Sequence, residues 1–148
     1  MTKLLELLLA MGLLSSPLPP VRATGLATVY WRGDGHSGRY LGCVRQARRL
    51  LGKNEFRDDL PIIATRDSPP CGTFVVVEHV GTGRHTPAIK LDFGPFGCRM
   101  PDGTREVVVQ DGGCRARGGR SMAIADLTRR VAREIGHRGR DRVRLRWW

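Results

Sequence analysis

The sequence predicts a mostly β protein, a compact β-barrel with one or two short peripheral helices. The chain has 148 residues, which is enough for one core and leaves no room for a second domain. Apolar residues make up 41% of the chain, so extensive disorder is not expected. Short segments rich in β-branched residues alternate with frequent turns, and only two segments have helical spacing. This pattern is typical of a barrel with helices at its periphery.

The first half of the chain predicts two strands and one helix. Residues 26–31 are rich in β-branched and aromatic residues and predict the opening strand. In residues 43–51, Val44, Ala47 and Leu51 share one helical face, and Gly52 follows as a stop signal. Residues 62–65 then predict a short apolar strand.

The second half predicts four strands and a second helix. Residues 73–80 and 88–91 flank the Gly-Thr-Gly turn of a hairpin. Residues 107–109 predict a strand inside an excursion that has its own turn at residues 101–103. Apolar residues recur at helical spacing over 124–135, and Gly136 ends that helix. Residues 142–147 alternate strictly, so Val143, Leu145 and Trp147 are expected to face inward.

Residues 1–23 have the pattern of a secretory signal peptide. Lys3 precedes a leucine-rich run over 4–14, and residues 21–23 read Val-Arg-Ala, as a signal-peptidase site does. The run is shorter than the roughly 20 apolar residues that span a bilayer. We therefore expect a domain over 24–148 that is secreted, periplasmic or extracellular, with no membrane span after signal removal. The alternative is an N-terminal amphipathic helix packed on the domain.

The charge and the cysteines narrow the function classes. Basic residues number 25 against 14 acidic, and all but three of the 25 are Arg, so affinity for a polyanion is expected. Arginines on the last strand either line a groove that binds a polyanion or form a solvated strand face. The four cysteines contain no C-x-x-C pair, which disfavours zinc and favours two disulfides in an exported protein. Of the three possible pairings we favour Cys43–Cys71 with Cys98–Cys114.

No cofactor or metal is expected. Residues 33–38 match the G-x-G-x-x-G pattern, but the later strands are hairpin-linked and do not supply the parallel βαβ unit that a dinucleotide site needs. The four histidines are scattered, with no paired spacing that would indicate a metal site.

Three carboxylates are candidates for chemistry. Asp92 stands between Leu91 and Phe93 at a strand end, and an apolar setting would raise its pKa toward that of a general acid. The alternative is a turn-capping role, in which backbone amides would lower that pKa. Glu55 and Asp58 either present two carboxylates to a cleft or belong to an ordinary charged turn.

Several short segments carry a resemblance when they are taken in order. They read Asn-Glu-Phe-Arg-Asp at 54–58, Ala-Thr-Arg at 64–66, Gly-Thr at 72–73, Leu-Asp-Phe-Gly-Pro-Phe at 91–96 and Ala-Asp-Leu-Thr at 125–128. They resemble the G-E-x-x-D, A-A-H, G-T, N-D-R-G-P-F and I-D-L-S segments of the RlpA-like (rare lipoprotein A) double-psi β-barrel family, which is related to expansins. Residues 27–30 also look like the opening strand of that family.

The resemblance implies a six-stranded double-psi barrel and a lytic transglycosylase that cuts peptidoglycan glycan strands. It implies that Asp92 is the general acid and that Glu55 and Asp58 line the groove. It also implies substrate contacts for Tyr30, Arg66 and Asp126. The expected partner is peptidoglycan or another cell-wall polysaccharide, with acidic wall polymers a further possibility. No nucleic acid is expected as a partner, and the protein is expected to be a monomer.

The sequence also departs from that family. Arg66 stands where the family has His, and a guanidinium cannot accept a proton at neutral pH. Leu91 replaces an Asn and Phe93 replaces an Arg. These departures leave open a non-catalytic, expansin-like wall-binding module. A secreted protein that binds nucleic acid or another polyanion is a third hypothesis, which the charge permits but no motif supports.

Overall fold

A computed structural model of the chain describes residue 3 and residues 17–29, 40–108 and 113–148. Within these residues it contains nine strands and three short helices. The strands are β1 (Val21–Val29), β2 (Ile62–Ala64), β3 (Phe74–His79), β4 (His85–Asp92), β5 (Gly97–Arg99), β6 (Arg105–Val107), β7 (Arg120–Ser121), β8 (Ala125–Leu127) and β9 (Arg140–Arg146). The helices are α1 (Val44–Leu51), α2 (Gly113–Ala116) and α3 (Arg129–Ile135). Among the described residues, no helix has the length and apolar character needed to cross a membrane.

Six of the strands close into a barrel in the order β1-β8-β2-β4-β3-β9. The barrel is mixed, because β1 pairs with β8 and β2 pairs with β4 in parallel, while the other pairs are antiparallel. Strands β5, β6 and β7 form a separate sheet in the order β6-β5-β7. The mostly β, six-stranded barrel is therefore confirmed, and its mixed closure is consistent with the double-psi architecture. The described residues contain three helices where one or two were expected.

The barrel interior is filled by alternate residues of its strands. Ile63, Val75, Val77, Ala88 and Leu127 belong to this cluster and are fully buried. Val143 and Leu145 face the same core, as the alternation of the last strand predicts, and Trp147 packs against it while half-buried. Helix α3 covers this core with Val131 and Ile135.

A second apolar layer covers the outside of β2 and β4. Ile62, Ala64, Ile89 and Leu91 pack there against a cap formed by Leu41, Cys43, Ala47, Phe56 and Leu60. Because β2 is buried on both faces, its residues read Ile-Ile-Ala without alternation. Helix α1 supplies part of this cap and ends at Gly52, whose φ of 82° is the left-handed conformation expected of a C-terminal glycine.

The helix predicted over 124–135 is wrong in its first half. Ala125–Leu127 forms β8, which pairs in parallel with β1 and antiparallel with β2, and the helix begins only at Arg129. The spacing of Ile124 and Leu127 fits a helix, but the backbone pairing of the barrel overrides that local pattern. Strand β6 lies at Arg105–Val107, slightly ahead of the expected 107–109.

Strand β1 begins ahead of the predicted cleavage site. Val21 lies opposite Arg146 of β9 and Ala23 opposite Leu145, so residues 21–23 take part in the barrel sheet. Signal-peptide cleavage stays a prediction. The ends of two predicted strands, residues 30–31 and 109, lie outside the described residues.

Both favoured disulfides are confirmed. Cys43–Cys71 joins the start of α1 to the segment before β3, with a Cα–Cα distance of 5.6 Å. Cys98–Cys114 joins β5 to α2, with a Cα–Cα distance of 5.5 Å. Met100 and Val108 pack against the second disulfide and form a small core for the three-stranded sheet.

Removal of the second disulfide by Cys98→Ala with Cys114→Ala is expected to lower the free energy of unfolding by about 3 kcal/mol, because the bond closes a short loop in the unfolded chain. Its two cysteines are 16 residues apart. Urea unfolding of the double variant and the wild type measures this difference. Equal midpoints and slopes for the two proteins would contradict the expected contribution.

Candidate functional site

Asp92 is the last residue of β4, and a β-bulge sets its position. Ile63 of β2 lies opposite Lys90, but the next residue, Ala64, lies opposite Asp92. Leu91 is therefore the extra residue of the bulge. Bulges re-aim side chains at the ends of strands. The bulge thus allows Leu91 to stay in the apolar layer while the chain turns out of the barrel at Asp92.

The Asp92 carboxyl is buried, with 8% of the residue exposed. Its Oδ1 accepts hydrogen bonds from the backbone N–H of Gly42 at 2.7 Å and from that of Phe93 at 2.9 Å. Burial raises the pKa of Asp92, while these two N–H donors and the charge of Lys90 act against the rise. The apolar setting and the backbone amide donors, which the sequence offered as alternatives for Asp92, are therefore both present. Desolvation has the larger effect on the pKa of Asp92.

The absence of a side chain at Gly42 lets its backbone lie close to Asp92 and Phe93. A Cβ on Gly42 would lie 2.5 Å from Cδ2 of Phe93 and 3.0 Å from Oδ1 of Asp92. A side chain at residue 42 would therefore require the Phe93 ring to move and would crowd the Asp92 carboxyl.

Asp126 lies in the same part of the barrel wall as Asp92. Ala64 of β2 pairs with Asp92 on one side and with Asp126 of β8 on the other. Two strand spacings, about 10 Å, therefore separate the backbones of the two aspartates. Thr28 of β1 donates a hydrogen bond from Oγ1 to Oδ1 of Asp126. The barrel register thus brings two of the predicted site residues to one row.

Glu55 and Asp58 line one open depression with Lys53, Phe56, Arg57 and Asp59. Lys53 Nζ lies 3.0 Å from Oε2 of Glu55, and Arg129 Nε lies 3.7 Å from Oδ2 of Asp58. Both carboxylates are partly exposed and have cations nearby. Asp92 is not among the residues that line this depression.

Residues 41–42 connect Asp92 to the segment that carries Glu55 and Asp58. The side chain of Asn54, next to Glu55, accepts a hydrogen bond from Leu41 N at 2.9 Å and donates one to Leu41 O at 3.2 Å. The following residue, Gly42, donates to Asp92. The backbone of two consecutive residues is thus held by Asn54 on one side and by Asp92 on the other.

Arg66 contacts the segment around the three-stranded sheet. Its Nη1 donates to the carbonyl oxygen of Val108 at 3.1 Å and to that of Pro95 at 3.5 Å, and its guanidinium lies 5.1 Å from the ring centroid of Phe96. These contacts show a packing role, and a substrate contact for Arg66 stays a prediction. Tyr30 and the glycine-rich residues 33–38 lie outside the described residues.

Lys90 is a component of this region that the sequence analysis did not identify. The side chain is fully buried, Nζ donates to the carbonyl oxygen of Arg66 at 3.2 Å, and Nζ lies 4.6 Å from the ring centroid of Phe93. Burial lowers the pKa of Lys90, and the charges of Asp67 and Asp92 oppose that change. The sequence signal that could have identified Lys90 is a lysine between the apolar residues of a predicted strand.

Comparison with protein-family models and with curated proteins found no match to this chain. The family resemblance therefore rests on the short segments quoted above and stays a prediction.

Asp92→Asn is expected to change how stability depends on pH. Because the pKa of Asp92 is raised in the folded state, its protonated carboxyl contributes stability that is fully present below the unfolded pKa of 3.8. That stability is lost as pH rises through the folded pKa. The wild type should therefore lose stability relative to Asp92→Asn across that window and no further above it. Urea unfolding at a series of pH values measures the difference. A wild type that becomes more stable relative to the variant as pH rises would contradict this assignment.

Lys90→Met is expected to raise the pKa of Asp92 further, because it removes a positive charge that favours the carboxylate. The pKa can be followed by NMR titration of the carboxyl carbon. Lys53→Met is the matched control, since Lys53 is exposed and pairs with Glu55. An unchanged or lower pKa in Lys90→Met would show that the two groups do not interact.

Proposed function

We propose that this protein is a secreted, cell-wall-active enzyme that cleaves peptidoglycan glycan strands as a lytic transglycosylase, with Asp92 as the general acid. The observation that carries the proposal is the buried Asp92 carboxyl, whose pKa burial raises. A general acid must hold its proton near the working pH, and desolvation gives a carboxyl that property.

The hydrogen bonds of Asp92 favour one oxygen as the proton donor. Oδ1 already accepts two backbone N–H bonds, so the acidic proton belongs on Oδ2. In the proposed step, Oδ2 gives this proton to the glycosidic oxygen as the bond between that oxygen and the anomeric carbon breaks. The proton makes the leaving sugar a neutral alcohol.

Glu55 and Asp58 are the candidates for the base. They are partly exposed, and the cations Lys53 and Arg129 lie near them. The base removes the proton of the sugar's own 6-hydroxyl, and that oxygen forms a bond to the anomeric carbon. No water is consumed, and the product is an anhydro sugar. One protonated and one ionised carboxyl is the usual division of roles in glycosidic cleavage.

The contacts of Arg66 support the alternative of a non-catalytic wall-binding module. At the position where the resembled family has His, this chain has a guanidinium held by two carbonyl oxygens and stacked on Phe96. Such a group cannot act as a base. In the alternative, the same barrel surface grips a glycan without cutting it.

Asp92→Asn is expected to reduce cleavage of purified peptidoglycan by about 10²- to 10⁴-fold, the usual value of general acid catalysis. The variant should fold, because an Asn Oδ1 can accept the same two N–H bonds. The measurement is mass spectrometry of the soluble fragments from intact and peptide-stripped peptidoglycan. Glu55→Gln and Asp58→Asn, tested separately, identify the base.

Anhydro-ended fragments from the wild type alone would support the proposal. Hydrolysed reducing ends would contradict a transglycosylase and indicate that water attacks instead. Equal activity in Asp92→Asn would exclude Asp92 as the acid. Absence of soluble fragments, with the protein sedimenting with the wall material, would favour the binding module.

A further inference from the structure

The three-stranded sheet carries three arginines in one line across its strands. Arg99 of β5 lies opposite Arg105 of β6 on one side and opposite Arg120 of β7 on the other. All three residues are exposed. We refer to Arg99, Arg105 and Arg120 as the arginine row.

The side chains of the arginine row share the outer face of the sheet. Residues directly opposite each other in antiparallel strands project to the same face, with backbones about 5 Å apart. The residues before and after Arg99, Cys98 and Met100, pack in the small core around the disulfide. Three guanidinium groups are therefore presented side by side on a surface that the disulfide supports.

The charges of the arginine row are not neutralised within the part of the chain that the structure describes. Other arginines of the protein do have carboxylate partners there: Arg117 pairs with Glu106, and Arg144 and Arg146 both pair with Glu78. Among the described residues, no carboxylate pairs with Arg99, Arg105 or Arg120. Like charges placed directly opposite each other destabilise a sheet, so this arrangement costs folding free energy that a bound anion would recover.

We propose that the arginine row is a binding site for a linear acidic polysaccharide. The planar guanidinium forms paired hydrogen bonds with carboxylate, sulfate and phosphate groups. Three such groups in line match a chain that carries anionic groups in sequence. The described residues of β5, β6, β7 and α2 include no aromatic side chain on which bases of a single-stranded nucleic acid would stack. The choice of a polysaccharide rests on the proposed function, whereas the anion site does not.

The position of the sheet connects this site to the barrel wall. Only residues 93–96 separate Asp92 from β5, and Arg66 of the barrel side binds the carbonyl oxygens of Pro95 and Val108 at the base of the sheet. A polymer held on the arginine row therefore lies on a sheet that residues 93–96 join to the Asp92 strand. In this account the row holds an acidic wall polymer while the barrel contacts the glycan.

The test is the affinity of the purified protein for fluorescently labelled polygalacturonate as a function of salt. Arg99→Gln, the centre of the row, is expected to weaken binding roughly tenfold, as for loss of a charge-assisted contact, and to reduce the salt dependence. Arg142→Gln is the matched control, because Arg142 is an exposed strand arginine of β9 with the same charge. It is expected to bind within about twofold of the wild type, and Arg99→Lys should recover part of the loss.

Equal weakening by Arg99→Gln and Arg142→Gln would overturn the proposal, since binding would then reflect net charge alone. Tighter binding of duplex DNA than of polygalacturonate, with the same dependence on Arg99, would overturn the choice of a polysaccharide. If the wild type cuts no peptidoglycan but Arg99 still controls binding, the proposed enzymatic function fails and the arginine row stands.

Discussion

Strand β2 has only three residues, and it joins the two strands that carry Asp92 and Asp126. It pairs in parallel with β4 and antiparallel with β8, and both of its faces are buried, Ile63 in the barrel core and Ile62 with Ala64 in the outer layer. The register of β2 fixes Asp126 on one side and Asp92 on the other. A shift of one residue would move Ile63 out of the barrel core and separate Ala64 from both aspartates.

The candidate site follows from a competition of electrostatic effects at the edge of this strand. Asp92 leaves the apolar layer but stays buried, and the close approach of Gly42 supplies a hydrogen bond that favours its charged form. Lys90 adds a further favourable charge from within the barrel wall. Desolvation nevertheless has the larger effect on the pKa of Asp92. A small change in the packing around residues 42 and 93 would therefore alter the acidity of this carboxyl.

Much of the fold could be predicted from local patterns, and the exceptions have physical reasons. The alternation of 142–147 and the glycine stop after α1 each require only neighbouring residues, and both predictions are confirmed. Strand β8 could not be recognised, because Ala125–Leu127 is a strand only through its pairing with β1 and β2. One of the two pairings in the arginine row, Arg99 with Arg105, lies across the turn that the sequence predicts at 101–103, although strand β5 itself was not predicted. The pairing with Arg120 depends on the return of the chain through α2.

Some residues of the candidate site could also be predicted from local patterns, whereas others depend on tertiary contacts. Asp92 could be singled out because a carboxyl between apolar residues at a strand end is unusual, but its partner Gly42 is distant in sequence and gives no local signal. Glu55 and Asp58 were identified as a pair by their spacing, and they do line one depression. Their relation to Asp92 runs through Asn54 and the 41–42 backbone, a tertiary arrangement that no motif encodes.

The most direct test of this account joins the acidity of Asp92 to the chemistry proposed for it. Peptidoglycan cleavage by the wild type would be measured as kcat/KM across pH, beside an NMR titration of the Asp92 carboxyl in the same protein. We expect the pKa of Asp92 to lie above its ordinary value of 3.8, and we expect activity to fall with rising pH as that carboxyl ionises. A pKa at or below 3.8, or activity that is maintained after Asp92 has lost its proton, would contradict this account.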